Sequence, residues 1–224
     1  STTLIKAAEY AYFYGPITVN GTGNNTLTIM AGRDIYSNAA FNGASGKPLT
    51  VNLYTDVDNT GGGAIILNAS SSILSYGGNI TLRGGTGDTT SGCSTAKTCI
   101  AGYASNSGGD WISSPTAGYQ DNVSGIVIVS SGSIDAGTGA ITMMGRTSDA
   151  SWYGILMYNG GTTIKAGGNI TIDGVTASGG SGWGVYLAGT VWSTAGNISI
   201  TGNGSNGVYL DTVGGVGSIS AGNT

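Results

Sequence analysis

The chain has no histidine, a single glutamate (Glu9), three prolines and two cysteines. Without histidine there is no Ser-His-Asp or Cys-His nucleophile, no imidazole metal ligand and no imidazole acid–base pair. Charge is sparse: 11 acidic and 7 basic residues stand in 224, with a formal net charge of −4. Nucleic-acid binding depends on clustered Lys and Arg, so seven scattered bases argue against it. No apolar run approaches the roughly 18 residues of a membrane-spanning helix. The opening "STTLIKAAEY" lacks the basic and apolar regions of a signal peptide. Glycine (43 residues), Ser, Thr and Asn fill the space instead, and at this density they disfavour long helices. Hydrophobic residues still make up 39%, in short β-branched runs, enough for a packed core.

Those runs repeat. "YGGNITLRG" at 76–84, "AGGNITIDG" at 166–174 and "TAGNISITG" at 194–202 are versions of one phrase. Aligned, Asn79, Ala140, Asn169, Asn197 and Asn223 share a place, at spacings of 61, 29, 28 and 26. A second phrase travels with it: "GIVI" at 125, "GILM" at 154, "GVYL" at 184 and 207. A third reads "SIDAG", "TIKAG" and "SISAG", at 133, 163 and 218. Within each run apolar residues alternate, the period-2 signature of a strand with one buried face. Val185 and Leu187 are expected inward with Tyr186 outward, Ile170 and Ile172 inward with Thr171 outward, and Ile164 and Ala166 inward with Lys165 outward. Three short strands per unit of about 23–30 residues, joined by tight corners, describe a coil of an all-β, single-stranded parallel β-helix. The period predicts roughly eight or nine coils stacked about 4.8 Å apart. Asparagines at one corner are expected to bond amide to amide in a ladder, and glycines to supply corners with positive φ. Residues 1–16 fit no repeat and are expected to be an aromatic cap or linking strand, with the β-helix over 17–224. The pattern lapses at about 85–124, which reads as a loop excursion from one corner; solenoids often carry function on such insertions.

The strings "TLTIMAGRDIYSNAAF" (26–41), "LTVNLYTDVDNTGGGAIILNASSSILSYGGNITLRGG" (49–85) and the later "AGGNITIDG" resemble the shafts of two-partner-secretion exoproteins, the filamentous haemagglutinin and high-molecular-weight adhesin type. The resemblance covers most of 17–224. It implies a right-handed β-helix, moved across a bacterial outer membrane by a secretion partner and displayed on the cell surface for adhesion. The family's N-terminal secretion domain is not recognisable, which implies a shaft segment.

Candidate sites follow from residue chemistry. Asp56 and Asp58 in "TDVDNTGGG" are read as an Asx-type turn, with a weak alternative as a calcium loop lacking its bidentate Glu. Arg33, Arg83 and Arg146 each follow a strand and could align along one edge. Cys93 and Cys99 enclose five residues, a spacing suited to a small disulfide loop rather than a redox pair. Tyr103, Trp111 and Tyr119 in the excursion are candidate ligand-binding aromatics for sugar or protein contact. Trp152 and Trp183 precede equivalent runs and are expected to stack as a column. Tyr10, Tyr12 and Tyr14 alternate around Ala11 and Phe13, giving a tyrosine-faced strand that caps the first coil or joins subunits. Eight Asn-x-Ser/Thr triplets occur, three of them at the repeat corner. The expected function is a non-catalytic, extracellular structural and adhesive segment without cofactor. Its partners would be host-cell or surface glycans and proteins, or neighbouring copies end to end. A self-assembling filament subunit is the alternative, and a polysaccharide-active enzyme, needing paired carboxylates, comes after it.

Overall fold

The structure, a computed structural model, describes residues 1–57, 63–69, 71–84, 104–106, 124–129, 131–147, 150–211 and 218–221, and every regular element among them is a β-strand. The first coil is β1 (Thr2–Ala7), β2 (Ala11–Phe13) and β3 (Ile17–Thr18). The second is β4 (Asn25–Ala31), β5 (Ile35–Ser37) and β6 (Ala40–Asn42), and the third β7 (Leu49–Thr55), β8 (Ile65–Leu67) and β9 (Ser72–Leu74). The fourth holds β10 (Ile80–Gly84), β11 (Ala104–Asn106), β12 (Ile126–Ile128) and β13 (Ser133–Asp135). In the fifth and sixth, β14 (Ile141–Thr147) leads to a long β15 (Ile155–Ala166), and β16 (Ile170–Val175) to a long β17 (Trp183–Ser193). The last coil is β18 (Ile198–Asn203), β19 (Asn206–Leu210) and β20 (Ser218–Ala221).

Like strands lie on like strands. The first face runs β1-β4-β7-β10-β14-β16-β18, parallel throughout. The second and third faces share one sheet, because β15 and β17 pass through both; the register of β15 on β17 shifts between Met157 and Thr162, at the bend between the faces. This is the expected parallel β-solenoid with three strand segments per coil. Its first-face ladder is seven strands deep among the described residues rather than eight or nine. The coils are longer than the period suggests: the fourth alone runs from Ile80 to Asp135. β10 pairs β14 up to Leu82, and β11 takes over at Ala104, opposite Gly145. The stretch at 85–124 is therefore interrupted by a return to the sheet.

Residues 1–16 are continuous with the ladder. β1 pairs with β4 from Thr2↔Thr26 to Ala7↔Ala31, and Ala11 sits on Ile35. The expected boundary before residue 17 is thus no boundary in hydrogen bonding: β1 and β2 are the first two strands of the first coil.

Alternation fills the core. Leu27, Val51, Ile80, Ile141 and Ile170 form one inward file and Ile29, Leu53, Leu82, Met143 and Ile172 the next, all fully buried and in register. Burying each such side chain contributes about 1.5–3 kcal/mol before chain entropy is subtracted. The inward residues expected in β15, β16 and β17 are all buried, and Tyr186, Thr171 and Lys165 point out.

At the repeat corner the asparagines act differently from the expected ladder. Asn79 Oδ1 accepts the backbone N–H of Ala140 at 2.9 Å, and Asn169 Oδ1 that of Asn197 at 2.9 Å. Each side chain satisfies a backbone donor of the coil above it, a bond that works even where the next corner residue is alanine. Most corner glycines also serve a purpose other than positive φ. A Cβ on Gly139 would lie 2.1 Å from the carbonyl oxygen of Gly78, and one on Gly196 2.2 Å from the carbonyl carbon of Gly168. Backbones there approach too closely for any side chain. Positive φ is needed at Gly77 (114°) and Gly137 (60°), and Tyr76 adopts it as well (52°).

Candidate functional site

The second face carries a feature built from one residue per coil. In its strands the middle residue points away from the core: Tyr12 sits on Tyr36, Tyr36 on Ile66, Ile66 on Val127, Val127 on Leu156, Leu156 on Tyr186 and Tyr186 on Tyr209. Every member of this outer file is apolar or aromatic, where a solvated solenoid flank normally alternates to polar. Its middle is nonetheless covered. Tyr36, Ile66 and Val127 are no more than 1% exposed and join Ala64 in a second hydrophobic cluster, distinct from the core. Its two ends are open, with Tyr12 at 44% and Tyr209 at 36%.

At the first end, Tyr10, Tyr12, Tyr14 and Tyr36 form one group. Tyr12 and Tyr14 are nearly parallel, 8° apart with centroids at 6.5 Å, and Tyr12 lies 6.1 Å from Tyr36. Tyr14 is 69% exposed. Phe13, on the opposite face of the same strand, turns inward and meets Phe41 edge-on at 5.3 Å. The Arg33 guanidinium rests over the Tyr10 ring at 5.7 Å. Asp34, behind this group, uses Oδ1 to accept the backbone N–H of Ala64 at 2.6 Å. Burial raises its carboxyl above the ordinary range, against the opposing pull of that hydrogen bond and of Arg33. Burial also raises the Tyr12 phenol, with Asp34 and the neighbouring tyrosines adding to it.

A pH dependence follows. A carboxyl whose folded pKa lies above its unfolded value binds its proton more readily when folded, so its contribution to stability falls as pH rises from the ordinary carboxylate range through the raised value. Asp34→Asn keeps an oxygen for Ala64 and removes the buried charge. We expect D34N to melt above the parent at pH 7 and the gap to close once the pH falls below the ordinary Asp value. An equal gap at pH 7 and pH 3 in calorimetric scans would contradict this.

At the other end, five aromatic rings make an unbroken chain over three coils. Trp152 meets Tyr153 at 6.3 Å, Tyr153 meets Tyr186 at 5.1 Å, Tyr186 meets Tyr209 at 5.1 Å, and Tyr209 meets Trp183 at 4.8 Å. The Tyr186 hydroxyl donates to the Asp211 carboxylate. Burial first, and that bond second, push the Tyr186 phenol far up. Trp152 and Trp183 are linked through tyrosines and do not form the expected tryptophan column, because with Ile155 opposite Val185 the place opposite Trp183 belongs to Tyr153, one residue past Trp152.

The remaining candidates are dispersed. Arg33, Arg83 and Arg146 do not align: Arg83 lies opposite Tyr54 with its guanidinium 5.2 Å from that ring, and Arg146 lies opposite Ser105. Asp56 follows β7, buried and with φ of 52°, a conformation Asp tolerates in turns. Asp58, Cys93, Cys99, Tyr103, Trp111 and Tyr119 lie outside the described residues. On the third face Lys165 pairs with Asp135 at 3.5 Å and lies over Trp192 at 5.4 Å.

Sequence reading missed the outer file as a unit, although its signal was present. Stacking "IYS", "IIL", "IVI", "ILM" and the two "VYL" runs shows an apolar middle residue in each. Tyr186 was expected outward, but its place in a line reaching back to Tyr12 depends on pairings across insertions of unequal length. Compared with protein-family models, curated proteins and solved structures, the chain has no match.

Proposed function

We propose that the chain is a non-catalytic structural and adhesive segment of a secreted bacterial surface adhesin, in keeping with its resemblance to two-partner-secretion shafts. The observation that supports this best is the outer apolar file, which ends in exposed aromatic clusters on a stiff parallel ladder. The ladder derives rigidity from backbone bonds and a dry aliphatic stack, and needs no charge network. Exposed aromatic groups on a monomeric flank mark interaction surfaces. The test is retention of glycan-coated or cell-coated surfaces by the immobilised chain. A Tyr12→Ala/Tyr14→Ala/Tyr209→Ala variant with unchanged circular dichroism is expected to lose most of that retention. Equal retention by parent and variant, or none by the parent, would reject the reading.

The filament alternative has its own observation. Val208, Leu210 and Ile219 of the last coil occupy inward files yet are 37%, 42% and 42% exposed, and β18, β19 and β20 contain no charged residue. Uncharged open edges are templates for strand addition. On this reading the chain associates with rising concentration and Leu210→Lys abolishes that association; a concentration-independent monomer mass by light scattering would exclude it.

A further inference from the structure

We infer that the outward surface of the first face binds the prism surface of hexagonal ice. This surface is separate from the aromatic stripe, which belongs to the second face. The repeated phrase by itself shows one outward file here, Thr81, Thr142, Thr171 and Ser199. The strand pairings extend that file back through Asn52 to Thr28. They also set a second file beside it, two residues earlier in each strand. This one runs from Thr26 and Thr50 through the corner residues to Asn197, all threonine or asparagine except Ala140.

The spacing of the array is that of the backbone. Successive coils place equivalent side chains about 4.8 Å apart, and residues two apart in a strand stand about 6.7 Å apart, at right angles to the coil spacing. Oxygens on an ice prism face repeat at distances close to both, also at right angles. Liquid water has no such long-range order. The first face keeps its register without a shift through every pairing from β1 to β18, so the match does not drift along the solenoid.

The side chains suit such a lattice. A threonine methyl orders the water around it while the hydroxyl bonds into the water network, and β-branching confines both to few rotamers. Thr171 and Ser199 are exposed, and Thr28, Asn52, Thr81 and Thr142 are partly so. Asn52 Nδ2 donates to Thr28 Oγ1 at 3.3 Å, and Asn79 and Asn169 are held through Oδ1 by the next coil. Little side-chain freedom is left to lose on binding. Neither file contains a charge, which would keep its own hydration shell in place of lattice water. Lys6, Arg83 and Asp173 stand two residues further along their strands. The third face differs on both counts: its hydroxyls form one file, Ser72, Ser133, Thr163 and Thr190, with Asp135 and Lys165 beside it.

The experiment follows partition of the whole chain into slowly grown ice, beside an inert globular protein of similar size, and the thermal hysteresis of the same solution. The chain is expected to be enriched in the ice that excludes the inert protein, and to hold a seeded crystal without growth below its melting point. Thr142→Tyr raises a bulky ring in the middle of the array and should remove most of both effects while leaving the circular dichroism unchanged. Thr171→Tyr, at a more exposed position, should do the same and guards against a first variant that fails to fold. Thr163→Tyr, the same exchange on the third face, should keep both effects. The inference is overturned if the folded chain is excluded from ice like the inert protein, if the folded Thr142→Tyr or Thr171→Tyr variant keeps the hysteresis, or if Thr163→Tyr loses as much. A chain without ice affinity that still adheres to cells would overturn this inference and leave the adhesive reading standing.

Discussion

Replacing Gly174 with alanine is expected to lower the melting temperature by about 6–12 °C, corresponding to roughly 3 kcal/mol or more. Gly174 ends the first face of the sixth coil where its backbone meets that of Gly184, at the start of the second face. A Cβ at Gly174 would lie 2.0 Å from the Gly184 carbonyl oxygen and 2.7 Å from its carbonyl carbon. The obstacle is backbone, which cannot rotate away as a side-chain end can. Relief therefore requires parting two faces that each hold ladder bonds to both neighbouring coils. Gly145 with Gly154, and Gly202 with Gly207, make the same contact above and below. The glycines that open "GIVI", "GILM" and the first "GVYL" are confined in turn, a Cβ on Gly125, Gly154 or Gly184 lying 2.3, 2.3 or 2.5 Å from the nearest backbone atom. One on Gly207 would meet only the Gly202 carbonyl oxygen, at 3.5 Å. Gly15→Ala is the control: a Cβ there meets nothing within 4 Å, and a change within about 0.5 kcal/mol is expected. Thermal scans in which the two variants behave alike would show that the close approach does not govern stability.

Phe41→Ala is expected to cost about 3–5 kcal/mol, read as a shift of the urea midpoint. Phe41 is fully buried in the narrow interior of the second coil, between Ile17 and Ile73 of the adjacent coils and edge-on to Phe13. Its neighbours are fixed by backbone ladders above and below, so the vacated volume cannot easily collapse. Phe13→Ala removes the same ring from the first coil, where it is only partly buried, and should cost clearly less. Equal costs would mean that the first coil is as firmly packed as the second, contrary to the exposure of β1 and β3.

Inward and outward assignments follow from alternation alone, and Val185, Leu187, Ile170, Ile172, Ile164 and Ala166 are buried as alternation requires. Corner chemistry was less legible. Asparagine was recognised as the corner residue, yet its side chain bonds the next backbone N–H, because that donor would otherwise be left without a partner at the turn. A run of residues suggests positive φ as the reason for corner glycines, whereas at Gly139, Gly174 and Gly196 the space available to a Cβ decides. Distances between backbones of different coils cannot be read from a run of residues, however regular the run.

The aromatic residues show the same division. Tyr12 and Tyr186 stand far apart in the chain, and each by itself reads as an outward residue on a strand. Their membership in one file depends on five intervening pairings, which carry the register past 61 residues between Asn79 and Ala140 as faithfully as past the 28 between Asn169 and Asn197.

By itself, the sequence determined the all-strand solenoid, its three-part coil, the identity of the inward residues and the corner at which each coil begins. These are consequences of periods of two and of about 28 residues, written locally in side-chain polarity. Only the tertiary structure decided which coils are neighbours across the insertion, which outward residues share a file, and where backbones close on one another. Those are set by stacking between coils, through hydrogen bonds and contacts whose partners lie one whole turn away.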